Sequence, residues 1–100
     1  MLEACDKILD FARGRHERDL NDDSMLLFAV VRAVEIVGEA ATKVSPEVRA
    51  DAPQIPWKAL RGMRNRLIHA YFDIDTEILW KTVSDDIPVL ASHLRALLTG

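Results

Sequence analysis

The 100-residue chain gathers its reactive side chains in one place. Lys58, Arg61, Arg64, Asn65, Arg66, His69 and Tyr71 lie between positions 58 and 71 with no aspartate or glutamate among them. A histidine exchanges protons near neutral pH and an arginine keeps its charge, so together they can move a proton and hold an anion. Phosphate is the anion such a cluster suits, with Lys58, Arg61 and Arg66 as candidate phosphate contacts. The bland reading is a solvated basic face answering acidic stretches such as "DDS" at 22–24 and "SDD" at 84–86.

Other chemistry is hard to build from this chain. Its one cysteine, Cys5, cannot form an internal disulfide, and His16 and His93 stand in unrelated contexts without metal-ligand spacing. No paired-carboxylate motif, nucleophile setting or glycine-rich phosphate loop is present. The expectation is no metal site and no cofactor.

The cluster falls on a helix expected over 56–71, because Pro56 suits a first helical turn and disfavours helical geometry before it. With Trp57 at zero on a helical wheel, Leu60, Met63, Leu67, Ile68 and Tyr71 form a buried stripe, and Arg64 falls inside it at about 340°. Lys58, Arg61, Asn65 and His69 share the adjoining face, between about 40° and 120°. An arginine among apolar side chains needs acceptors, and Glu35 and Glu39 of the preceding long helix are the candidates. An internal ion-pair anchor, or a stem that packs while its head reaches water, explains Arg64 equally well. His69 lies about 140° round the helix from Arg64, so the two meet only if the helix ends near His69 or two copies of the chain share a cleft.

The remaining elements are read from apolar spacing and caps. Leu2, Cys5, Ile8, Leu9 and Ala12 give a first helix, followed by a loop or frayed end at "RGRHERDLNDDS". Ser24 or the aspartates before it can cap a helix over 25–43, and Ser45 with Pro46 starts a short helix over 46–51. Asp75 can cap a helix through "TEILWKTV", and a last helix has Pro88 in its first turn and Ile87, Leu90, Leu94 and Leu97 on one face. The helix over 25–43 is apolar around most of its circumference, with Arg32, Glu35, Glu39 and Lys43 in one stripe about 80° wide. Few helices remain to cover it, so a second protomer is expected there, with Gly38 and nearby alanines allowing close approach; a central helix of a monomeric bundle is the alternative.

These elements make one all-α domain over 1–100. Low glycine and proline, four each, and 49% apolar residues fit a helical bundle and exclude disorder. A net charge of −3 gives no global pull toward nucleic acid, so any such binding rests on the local basic patch. The run from Met25 to Val31 is too short to span a bilayer, and the start lacks a signal-like core, so a cytoplasmic protein without membrane contact is expected.

At "GMRNRLIHAYFDID" the chain resembles the HepT-like branch of the HEPN superfamily, whose signature is Arg, four to six residues, His, one residue, then Tyr. Arg64, "NRLI", His69, Ala70 and Tyr71 match it. The resemblance extends to "AVVRAVEIVGEAA", "IPWKALRGMRN" and "VSDDIPVL". It implies a homodimeric HEPN-type bundle of four long helices plus short ones, acting as the toxin of a type VII toxin–antitoxin system. It implies metal-independent RNase activity with Arg64 and His69 catalytic, and Asn65, four residues before His69 and close to it on the wheel, is placed to support the imidazole or donate to phosphate. It also implies an MntA-type nucleotidyltransferase antitoxin that transfers AMP to Tyr71. A non-catalytic HEPN module that pairs with and regulates a nucleotidyltransferase is the alternative.

Overall fold

The structure, a computed structural model, describes residues 1–70 and 73–99, with the backbone alone for 63–70 and 73. Four long helices are present, α1 (Leu2–Ala12), α3 (Ser24–Thr42), α5 (Trp57–Leu67) and α7 (Ile87–Thr99), with short helices α2 (Asp19–Asp22), α4 (Pro46–Asp51) and α6 (Thr76–Lys81). A two-strand ribbon, β1 (Ile68–Ala70) and β2 (Asp73–Ile74), interrupts the otherwise all-helical chain. The Cα envelope measures 41 × 28 × 16 Å, thin enough that helices spaced about 8–10 Å apart fill only two layers.

Side-chain caps start the helices where the sequence suggests. Asp23 rather than Ser24 caps α3, its carboxylate accepting the Leu26 N–H at 3.1 Å. The Ser45 hydroxyl accepts from Val48 N–H at 3.2 Å, with Pro46 at the first position of α4, and Asp75 accepts from Ile78 N–H at 3.0 Å to start α6. The loop expected before α3 contains the extra turn α2, which drives Leu20 into the core. Gly14 takes φ +73°, a left-handed turn after α1 that a Cβ would strain.

Helix α3 is the centre of the core. Leu26, Val30, Val31, Ala33, Val34, Val37 and Ala41 face inward against α1, α2 and α5. Each fully buried Val or Leu contributes about 1.5–3 kcal/mol of transfer free energy, so this one face supplies much of the folding drive. Gly38 makes its close approach within the chain: a Cβ there would lie 3.2 Å from the Leu60 carbonyl oxygen of α5. The expectation that Gly38 opens room for a second protomer is thus corrected.

The C-terminal half departs from two separate helices. Residues 76–99 form one continuous helical run with a π-helical turn over Thr82–Asp86 between α6 and α7. Pro88 explains the wider turn, since it lacks an N–H and its ring crowds the carbonyl four residues back. Just before it, Ile87 N–H bonds to the Thr82 carbonyl, five residues back. The Thr82 hydroxyl donates to the Ile78 carbonyl at 2.9 Å, a back-bond that also bends helices. Ile87, Leu90 and Leu94 are buried as expected, whereas Leu97 is partly exposed. Arg95 ties α7 to α1 through Asp6 at 2.8 Å.

Candidate active site

Helix α5 is anchored at its start. Trp57 is buried and its indole N–H donates to the Ala52 carbonyl at 3.0 Å, while Trp57 N–H bonds to the Ile55 carbonyl at 2.9 Å. Ala52 and Ile55 are themselves buried, so "APQIPW" becomes a tight corner that fixes where α5 begins. Leu60 is buried one turn on, and Lys58 and Arg61 are exposed on the flank. Over 57–61 this is the division between buried stripe and basic face expected from the wheel. Position 64 continues the row of Trp57 and Leu60, seven and four residues before it; its side chain lies outside the described residues, as do those of Asn65, Arg66 and His69. Tyr71 is itself outside them.

The helix expected to continue to 71 ends at Leu67, and His69 stands in β1. Ile68 pairs with Ile74 and Ala70 with Asp73 in an antiparallel ribbon. One residue separates Ile68 from Ala70, and none separates their partners, so His69 is the extra residue of a β-bulge. Bulges break the alternation of a strand and re-aim one side chain, and they recur beside active sites. The backbone groups that a continuing helix would satisfy are taken up by the ribbon instead. Of the two ways for Arg64 and His69 to act together, an early helix end is therefore present within one chain.

On α3, Glu35 lies about 60° from Gly38 around the axis and Glu39 about 100°. Gly38 marks the side that touches α5, so Glu35 sits at the edge facing that helix. Its side chain is only 21% exposed. Arg32 reaches both carboxylates from its own helix, at 3.5 Å to Glu35 and 3.6 Å to Glu39. Whether Arg64 also uses them involves a side chain outside the described residues. The polar stripe is not alone on the outer face of α3: Met25 is 82% exposed, Phe28 65% and Ile36 39%. Among the described residues, nothing covers these three side chains.

Chemistry elsewhere is sparse. His16 sits in the α1–α2 loop and His93 on α7, apart from α5. Cys5 is fully buried, and burial pushes its thiol up to about 11 from the ordinary 9.0, with Asp6 adding to the rise and the terminal ammonium opposing it. Among the described residues, no group of three or more His, Cys, Asp or Glu is arranged to hold a metal ion. Among the described residues, no helix is long and apolar enough to cross a membrane.

A helical bundle in which the helix bearing Arg64 runs straight into the bulge bearing His69 defines an all-α protein of the HEPN type. The chain belongs to the HepT-like family: residues 1–97 match the family described as "Ribonuclease HepT-like", which places it in a class of RNA-cleaving enzymes. It is 42% identical to "Probable ribonuclease HepT" of Thermococcus cleftensis, over 97% of this chain and 88% of that protein. A protein of Methanocaldococcus jannaschii is 39% identical, over 95% of this chain and 87% of its own length. One of Caldanaerobacter subterraneus is 35% identical, over 98% and 88%. Both of the latter are named as candidate RNases. No solved structure matches the chain.

Proposed function

We propose that the chain is the toxin of a type VII toxin–antitoxin pair, a homodimeric endoribonuclease that cleaves RNA without a metal. His69 moves a proton between the adjacent 2′-hydroxyl, the departing 5′-oxygen and water near neutral pH. Arg64 stabilises the charge that builds on the phosphorane oxygens. Asn65 orients the imidazole or donates to phosphate, and Lys58, Arg61 and Arg66 hold the neighbouring backbone. The 2′-oxygen bonds to phosphorus as the 5′-oxygen leaves, giving a 2′,3′-cyclic phosphate and a 5′-hydroxyl; DNA lacks the attacking group. Glu35 and Glu39 are the acceptors proposed for Arg64.

The observation that carries this reading is His69 at the bulge that directly follows the helix bearing Arg64. Family membership supports the reaction class. The uncovered apolar side chains on the outer face of α3 support a second protomer there. The proposed partner is an MntA-type nucleotidyltransferase antitoxin that transfers AMP to Tyr71 and blocks the cleft with bulk and negative charge.

The test is cleavage of RNA by purified protein in EDTA, with the ends analysed for cyclic phosphate. His69→Ala and Arg64→Ala are each expected to remove the activity while the dimer persists in sedimentation. Cleavage undiminished in both variants would overturn the assignment. Incubation with a nucleotidyltransferase antitoxin and ATP should add one AMP to Tyr71 by mass spectrometry, and an unmodified tyrosine counts against the regulatory half.

A further inference from the structure

Beside the start of α5 lies an open concavity of about 730 Å³, lined by Pro56, Trp57, Lys58, Ala59 and Gly62. Its described walls are mostly apolar, and its floor is open because a Cβ at Gly62 would meet no atom within 4 Å. Among the described residues Lys58 is its only charged liner, and Arg61 stands exposed one turn further along. Among the described residues, neither cation has a carboxylate within ion-pair distance, although the molecule pairs Arg13, Arg15, Arg32 and Arg95.

We infer that this trough is a nucleobase subsite for single-stranded RNA, with the base against Pro56, the Trp57 edge, Ala59 and Gly62 and the backbone phosphates on Lys58 and Arg61. The inference rests on the RNase reading and extends it to how substrate is held. Single strands bind where an apolar platform receives a base beside cations that track the phosphates. Positions 58, 61 and 64 rise about 4.5 Å per step along one helix, a ladder that leads from the trough toward Arg64. A second copy of the chain fits less well. In a two-fold interface this patch would meet a copy of itself, and among its described lining residues no carboxylate is present to receive Lys58 of the other copy. The outer face of α3, with Arg32 and Glu39 among exposed apolar side chains, suits a protein partner better.

The probe is a fluorescein-labelled 2′-O-methyl oligoribonucleotide, which cannot be cleaved, together with versions carrying one abasic site at successive positions. Binding is read by fluorescence anisotropy on the wild-type protein and on Gly62→Leu, whose side chain would fill the trough. For the wild type, one abasic position is expected to weaken binding about tenfold, equivalent to about 1.4 kcal/mol. Gly62→Leu should weaken the intact oligonucleotide by a similar factor and abolish the abasic penalty. Ala59→Leu, one turn earlier on the same face of the helix, repeats the measurement if Gly62→Leu does not fold. An abasic penalty unchanged in the filled variants, or no sensitive position in the wild type, overturns the subsite. A shift of the filled variants from dimer to monomer in sedimentation also overturns it and assigns the trough to protein contact. Cleavage of ordinary RNA is followed in parallel, so the readings fail separately. A penalty without cleavage sinks the enzyme, and cleavage without a penalty sinks the subsite.

Discussion

Gly38 and Gly62 are both helical glycines, yet alanine should affect them in opposite ways. In an open helical position, Gly→Ala gains roughly 0.5–1 kcal/mol because the unfolded chain loses freedom it no longer has to give up. Gly62 is such a position, with no atom within 4 Å of an added Cβ. At Gly38 the same Cβ would lie 3.2 Å from the Leu60 carbonyl oxygen, inside ordinary contact distance. Leu60 is buried and α5 is pinned at Trp57, so the helices must part by a few tenths of an ångström, and overpacking of this sort costs roughly 1–3 kcal/mol. Gly38→Ala should therefore be neutral to about 2 kcal/mol destabilising. The gap between the variants should be at least about 1 kcal/mol, which for a domain of this size corresponds to about 4–8 °C in Tm. Urea and thermal melts at one fixed protein concentration measure it. Equal stabilisation by both substitutions would refute the close approach of α3 and α5.

Burial of Cys5 makes stability depend on alkaline pH. The thiol is raised from 9.0 to about 11 in the native state, so its contribution is complete below about pH 9 and is lost as pH rises from there toward 11. The loss should reach roughly 2–3 kcal/mol, and urea melts of wild type against Cys5→Ala at about pH 8 and about pH 10.5 should show it only in the wild type. Asp23→Ala removes the cap on Leu26 N–H and should cost about 0.5–2 kcal/mol, read from the same melts. Trp57→Phe removes the indole donor from the Ala52 carbonyl, which keeps the Ile55 N–H at 3.2 Å, and should cost roughly 0.5–1.5 kcal/mol. Arg95→Ala breaks an exposed pair with Asp6 and should change stability by less than about 1 kcal/mol, a result a double-mutant cycle can check.

What the sequence made legible was what local rules decide. Apolar spacing located α1, α3 and α7, and the caps at Asp23, Ser45 and Asp75 follow from side chains that reach their own backbone three residues on. Turn α2 was missed because "RGRHERDLNDDS" shows one apolar residue, Leu20, too little for a period to register. The π turn was missed because its cause, Pro88, also signals a new helix start; only packing decides that the helical run continues through it. Gly38 was read as a surface for another protomer, since a glycine does not reveal which neighbour requires its missing Cβ. At the site, the sequence named Lys58, Arg61, Arg64, Asn65, Arg66, His69 and Tyr71 and divided α5 between a buried row and a basic face. The bulge at His69 had one weak signal, the β-branched pair Ile68 and Ile74, which face each other in the ribbon.

The bulge also gives the spacing of the motif a physical meaning. On an unbroken helix, residues five apart lie about 140° apart round the axis and about 7.5 Å along it, so Arg64 and His69 would diverge whatever their rotamers. Ending the helix at Leu67 frees the chain direction just before His69, and the extra residue in β1 releases position 69 from the regular strand register. Neither change alone would do: a regular strand would dictate which face position 69 takes, and a helix continued to 71 would keep the turn of the wheel. The ribbon is held from its far side by β2, which runs into the Asp75 cap of α6, where the Thr76 hydroxyl meets Asn21 at 3.3 Å. The backbone at position 69 therefore lies between α5 on one side and, through β2, the Thr76–Asn21 contact of α6 with α2 on the other. The proposed mechanism needs Arg64 and His69 at one phosphate, and the ribbon takes position 69 off the helix that carries the arginine without bending that helix.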